Sequence, residues 1–255
     1  MAEIFVLGAA SGFPVPGLGH SSVLLSMADK SLLIDAGEPC SRSLIEAGIA
    51  LNALDAILLT HGHADHTGGL PMLIQTLWLS HRTEPLTIFL PAELSAPLQQ
   101  WLDAIYIGSN FLGFELKFVP WEAQQSFAVC GLQICPRPTT HLQSLANEFG
   151  NSRFKAYSLQ IEHPDFRILF SGDLGAPTDL EVQLANPVDL LVSELAHFPP
   201  GELFQFLAPR QVQKLLLTHL APELLGHEKW IVEEARNHLP EMVILIAKEG
   251  LKVSL

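Results

Sequence analysis

The sequence predicts an α/β protein in which two sheets pack face to face with helices on the outside, a four-layer αβ/βα sandwich. Three observations lead there. Short apolar, β-branched runs bounded by Gly, Pro or Asp recur along the chain in two series. Helical stretches with apolar residues at three-to-four spacing lie between them. Each half shows many strands with helices interleaved, and no low-complexity linker, charge block or short-period repeat marks a cut. The expectation is one domain over residues 1–255, built from two similar halves.

The first strand series is Ile4–Leu7, Ser22–Leu25, Leu32–Ile34, Ala56–Thr60, Leu86–Leu90 and Phe114–Val119. The second is Leu132–Cys135, Tyr157–Ile161, Arg167–Phe170, Leu190–Val192, Lys214–Leu217 and Val243–Ile246, and the chain closes on Leu251–Val253. Helices are expected at Glu38–Ala47, Leu70–Leu79, Ala92–Ile105, Pro209–Gln213 and Glu228–His238.

Composition bounds the function. With 255 residues, 48% of them hydrophobic, the chain is long enough to bury a core without disulfide staples. No run of about 18 uncharged apolar residues is present, which excludes a membrane-spanning helix of that kind. The N-terminus carries Glu3 and no basic segment, so it does not read as a signal peptide. Cys40, Cys130 and Cys135 are odd in number and lack zinc-finger spacing, which points to a reducing compartment, the cytoplasm. Fourteen basic against 27 acidic residues give a net charge of −13, which repels polyanions and argues against an extended nucleic-acid partner.

The 11 histidines are the unusual part of the count. Four candidate metal ligands, His61, His63, Asp65 and His66, fall within six residues where an apolar strand runs into a Gly-flanked loop. His61 and His63, at i and i+2 on an extended segment, project to one side and can share an ion, while Asp65 and His66 can turn toward a neighbouring one. Gly62, Gly68 and Gly69 are expected to allow the backbone bends this needs. A solvated His-rich turn is the bland alternative, and the strand-to-loop position with an interleaved acid argues against it.

His-x-His-x-Asp-His after an apolar strand resembles the metallo-β-lactamase superfamily, and the resemblance extends over nearly the whole chain. The later single ligands of that family have matches at His141 in Pro138–His141, Asp173 in Phe170–Asp173 and His219 in Leu217–Leu220. Upstream, Leu33–Glu38 matches the strand-to-turn motif whose acid, here Asp35, props the metal loop. The resemblance implies one ion on His61, His63 and His141, a second on Asp65, His66 and His219, and Asp173 bridging the two. Two such ions about 3.5–4 Å apart share a hydroxide at neutral pH and polarise the scissile group. The N/O donor set suits zinc best and also accepts manganese or iron.

Within the superfamily the scaffold resembles ribonuclease Z and its phosphodiesterase relatives, on Leu7–Pro14, His20–Ser22, Asp35–Glu38, Gly69–Pro71 and Leu217–Pro222. The pattern departs where substrate is chosen. The family's His-Glu-Ala-Thr stretch here reads Ser193-Glu194-Leu195-Ala196-His197. Glu194 matches the acid, and His197, three residues on, is expected to donate a proton to the leaving group, the alternative being a residue that caps or packs at the strand end. Long bacterial ribonuclease Z enzymes insert a tRNA-gripping arm between the third His ligand and the bridging Asp. Here 32 positions separate His141 from Asp173, too few for that arm once two strands are placed. Arg153, Lys155, His163 and Arg167 are the basic residues of that interval, and Arg137 lies just before it.

The expectation is therefore a binuclear metallohydrolase whose catalytic residues are Asp65, His197 and Glu194, acting on a small or nucleotide-like phosphodiester, with a homodimer as the one protein partner considered. Three alternatives stand beside it: a thioester or lactone hydrolase of the glyoxalase-like type, a ribonuclease Z-like tRNA 3′ endonuclease within the phosphodiesterase class, and a non-catalytic metal-binding protein. The intact seven-residue ligand set argues against the last. His63, where oxygen-reducing di-iron relatives carry an acid, argues against that branch. Phe111, Phe114, Phe118 and Trp121 are expected in the core.

Overall fold

A computed structural model describes residues 2–150 and 153–255. The chain divides into two compact units, residues 1–122 with 248–254, and residues 123–247 with 255. In the first unit the order is β1 (Ala2–Gly8), β2 (Ser22–Met27), β3 (Lys30–Ile34), α1 (Cys40–Glu46), β4 (Leu54–Leu58), α2 (Ala64–Thr67), α3 (Leu70–Leu79), β5 (Leu86–Pro91), α4 (Ala92–Ala104) and β6 (Leu116–Trp121). The second unit holds β7 (Phe127–Val129), β8 (Leu132–Thr139), α5 (Gln143–Phe149), β9 (Ala156–His163), β10 (Phe166–Phe170), β11 (Val188–Leu195), α6 (Pro200–Leu207), β12 (Val212–Leu220), α7 (Glu228–His238) and β13 (Val243–Ile246). The chain then returns to the first unit as β14 (Lys252–Ser254).

Each unit is built on a seven-stranded mixed sheet, ordered β14-β1-β2-β3-β4-β5-β6 in the first and β13-β12-β11-β10-β9-β8-β7 in the second. The first runs antiparallel from β14 to β3 and parallel from β3 to β6. The second runs antiparallel from β7 to β10 and parallel from β10 to β13. One topology is thus used twice.

Helices pack on these sheets through their apolar stripes. Leu70, Leu73, Ile74 and Leu77 of α3 recur at i, i+3, i+4 and i+7, and all are buried in the first unit's core with Leu33, Ile57 and Leu59. Leu203, Phe204 and Leu207 of α6 do the same in the second, against Leu191, Leu215 and Leu217. Parallel strands such as β12 are apolar along most of their length, because they are buried on both faces.

Every expected strand is present, and the differences are local. The expected helix at Pro209–Gln213 does not form. Pro200 instead opens α6, where a missing N–H and fixed φ suit the first turn, and Val212 and Gln213 enter β12. The expected strand Ala56–Thr60 stops at Leu58, because the Thr60 N–H donates to Asp35 instead of a neighbouring strand. β7, α2 and α5 are additional. The first two are three and four residues long, and α5 buries no residue, so none leaves a periodic signal. Phe114 and Trp121 are buried as expected, Phe118 packs against the core, and Phe111 is exposed, edge-on to Tyr106.

Candidate metal centre

In the first unit the donors leave the carboxyl end of β4, a parallel strand, the end of such sheets where ligands bind. His61 and His63 lie in the loop, and α2 begins immediately afterwards with Asp65 and His66 in its first turns. The ligand atoms of His61 and His63 lie within 4.8 Å of each other, as do those of Asp65 and His66. The His61 ring centroid is 4.7 Å from that of His63 and 4.1 Å from that of His66.

Asp35, at the end of β3, props this loop as the resemblance implies. Its Oδ1 accepts the Thr60 N–H at 2.8 Å, and its Oδ2 lies 2.7 Å from His66 Nδ1. The Thr60 hydroxyl donates to Asp35, so His61 Nδ1, 3.1 Å away, is the donor to Thr60 Oγ1. With Nδ1 protonated in both rings, Nε2 carries the lone pair of the neutral tautomer, the arrangement a metal-binding histidine requires.

The glycines of the loop do not act as expected. Gly68 and Gly69 have φ of −65° and −82°, ordinary helical values. Their role is close approach: a Cβ on Gly69 would lie 2.6 Å from the Gly37 carbonyl oxygen. The Gly69 N–H donates to the Ala36 carbonyl, so the loop is hung from the segment after β3.

The second unit draws its donors from separate strands. His141 follows β8, Asp173 follows β10, and His219 lies within β12. Asp173 Oδ2 is 3.5 Å from His141 Nε2 and 3.5 Å from His219 Nε2. That is longer than a good N–H···O hydrogen bond. It matches two atoms about 2.0–2.1 Å from a shared tetrahedral ion, which stand about 3.4 Å apart. His219 is the extra residue of a β-bulge, since Thr218 opposes Glu194 and Leu220 opposes Leu195, and its φ is +52°.

Glu194 and His197 belong to the same neighbourhood. Glu194 is 1% exposed, and its Oε1 lies 2.8 Å from His197 Nδ1 while also accepting the Leu174 N–H. Its Oε2 accepts the Ala196 N–H at 2.7 Å. The His197 ring stands 4.4 Å from that of His141 and 6.1 Å from that of His219. Of the basic residues in the 141–173 interval, Arg167 is committed to the Gln183 and Pro187 carbonyls, and His163 stacks on Phe166. Asp179 has no signal in a single sequence, yet its carboxylate accepts hydrogen bonds from Thr140 and Gly175, beside His141 and Asp173.

This fold with these donor sets defines a member of the metallo-β-lactamase superfamily of metal-dependent hydrolases, near ribonuclease Z and the phosphodiesterases. The metallo-β-lactamase fold protein YhfI from Bacillus subtilis superposes with a TM-score of 0.80 over 99% of this chain and 98% of that one, at 22% identity. Ribonuclease Z of Pseudomonas putida is 33% identical, with 92% of each chain aligned. The match to ribonuclease Z of Lachnospira eligens, 34% identical, takes in 52% of this chain and 43% of that protein. The chain belongs to the family described as anti-Pycsar protein Apyc1, whose model matches residues 2–229. No helix of the described residues is long and apolar enough to cross a membrane.

Proposed function

We propose that this chain is a binuclear phosphodiesterase acting on a small, nucleotide-like phosphodiester such as a cyclic nucleotide. In this reading the two units act as one domain. His61, His63 and His141 hold one ion, Asp65, His66 and His219 a second, and Asp173 is shared, with zinc the expected metal and manganese or iron the alternatives. Bound ions supply Lewis acidity and lower the pKa of water to about 7.

The remaining steps fall to the chain's own residues. The observation that carries the reading is His197, with Nδ1 fixed on Glu194 at 2.8 Å and its ring beside that of His141. Nε2 is then the nitrogen that delivers a proton to the departing alkoxide. Such help is worth about 10²–10⁴-fold for a poor leaving group and little for a good one. His197→Ala should therefore slow an alkyl phosphodiester by about that factor and leave bis(p-nitrophenyl) phosphate nearly unchanged, with metal content unaltered. Equal losses on both substrates, or hydrolysis of a thioester or lactone with no rate on any phosphodiester, would overturn the reading.

A ribonuclease Z-like activity on precursor tRNA is the second reading, favoured by the relatives that carry that name. Against it stand the charge of −13 and the short segment between His141 and Asp173, filled by α5, β9 and β10 among the described residues. The alignment to the Pseudomonas putida enzyme runs over 296 positions, more than this chain possesses, so the relative carries residues with no counterpart here. Efficient 3′ cleavage of precursor tRNA would reverse the order of the two readings. The same proposal takes the enzyme to be cytoplasmic; light scattering tests the homodimer considered from the sequence.

A further inference from the structure

His141 and Asp173 lie 3.5 Å apart at their ligand atoms, yet they leave β8 and β10, which are not neighbours. β9 lies between them, so the two strands are separated by two ladder spacings, about 9–10 Å. Sheet pairing alone does not bring the two ligands together, and some other contact must close the gap.

One carboxylate does so. Asp179, in a short 3₁₀ turn at Pro177–Leu180, accepts the Thr140 N–H at 2.9 Å and the Gly175 N–H at 2.9 Å through Oδ2, and the Thr140 hydroxyl at 3.0 Å through Oδ1. Thr140 precedes His141, and Gly175 follows Asp173 by two residues. The Thr139 hydroxyl adds a second tie, donating to the Asp173 carbonyl at 2.7 Å. The approach is close enough to demand glycine: a Cβ on Gly175 would lie 2.1 Å from Thr140 Oγ1.

We infer that Asp179 is a positioning residue that sets the spacing of His141 and Asp173, and so the affinity of this chain for metal. The inference rests on the metal-centre reading above. Asp179 touches neither ligand side chain. It acts through the two backbone segments that carry them, as residues behind metal ligands do, and loss of such support typically costs about 10–100-fold in affinity.

The test measures zinc affinity by competition with a chromophoric chelator. Asp179→Ala should weaken binding by about 10–100-fold. Asp179→Asn should restore affinity to within about threefold, because its Oδ1 accepts the two N–H groups and its Nδ2 donates to Thr140 Oγ1. Thr140→Val, which removes one hydroxyl donor and keeps its shape, should weaken binding by about three- to tenfold, the worth of one hydrogen bond, and serves if Asp179→Ala fails to fold. The cobalt-loaded Asp179→Ala protein should also show shifted visible bands, which a merely structural defect would not produce. Unchanged affinity and bands in Asp179→Ala and Thr140→Val would overturn the inference alone, as would equal weakening in Asp179→Ala and Asp179→Asn. A wild-type chain that binds no zinc would overturn it together with the metal-centre reading.

Discussion

In the first unit a buried carboxylate after β3 holds a histidine: Asp35 lies 2.7 Å from His66 Nδ1. In the second unit a buried carboxylate near the end of β11 does the same: Glu194 lies 2.8 Å from His197 Nδ1. The two units repeat one sheet topology and one device, yet the held rings differ. His66 is 1% exposed and closed in beside His61, whereas the His197 side chain is 34% exposed. A closed ring suits a ligand that must not move, and an accessible ring suits a group that meets substrate. The carboxylates differ as well. Asp35 spends its remaining capacity on Thr60, inside the metal loop, while Glu194 also accepts the Leu174 N–H, next to Asp173. Glu194 therefore ties the proton-donor candidate to the segment that carries Asp173.

The largest expected effect removes a donor from one unit or the other. Wild-type protein saturated with metal should hold two ions per chain by elemental analysis. Asp173→Ala should retain at most one and lose hydrolysis, because in the proposed centre this carboxylate serves both ions. His63→Ala should weaken one ion and spare the other. Two ions and a full rate in both variants would show that the donor sets are assigned wrongly.

A smaller effect separates the two carboxylates. Asp35→Asn should lower zinc affinity by about 10–100-fold, since it loosens the orientation of His66. Glu194→Gln should leave metal content unaltered and slow only the alkyl phosphodiester, as a milder copy of His197→Ala. Should Glu194→Gln release metal while Asp35→Asn keeps it, the parallel between the two units would have the roles reversed.

The contrast between the units also sets what a single sequence reveals. The first unit's donors fall within six residues after one apolar strand, so their spacing alone announces them. The second unit's donors are isolated residues, each with an ordinary core or cap explanation, and they are legible only through the ordered resemblance of the whole chain. Strands and the longer helices α3, α4 and α7 are legible from periodicity, because each buries a stripe. α6 escapes that reading because Pro199 and Pro200 stand at its start and mimic a break, and α2 is too short to show a period. Asp179 is invisible because its partners, Thr140 and Gly175, meet only across β9. The bulge at His219 is invisible too, since a left-handed histidine leaves no mark in composition.

The smallest effect concerns the thiols, which divide between the units as the histidines do. None of the three cysteines is in a disulfide. Cys40, at the start of α1, is fully buried in the first unit's core, and burial pushes its thiol up to about 12. Cys130 and Cys135, around the β7–β8 hairpin of the second unit, are half-buried. A thiol must ionise and be reached to react, so a thiol reagent at pH 8 should label Cys130 and Cys135 in the folded protein and Cys40 only after unfolding. The raised value also carries a sign. An unfolded thiol ionises near pH 8.5, at about its ordinary pKa, and the folded one does not. The contribution of Cys40 to stability is therefore fully present below that pH and declines as pH rises toward 12. Denaturant midpoints should fall over that alkaline window more steeply in wild type than in Cys40→Ala, whose overall stability is lower at neutral pH because a core side chain is trimmed. Rapid labelling of all three thiols in the native state would show that the core around α1, in the unit that carries the clustered donors, opens readily.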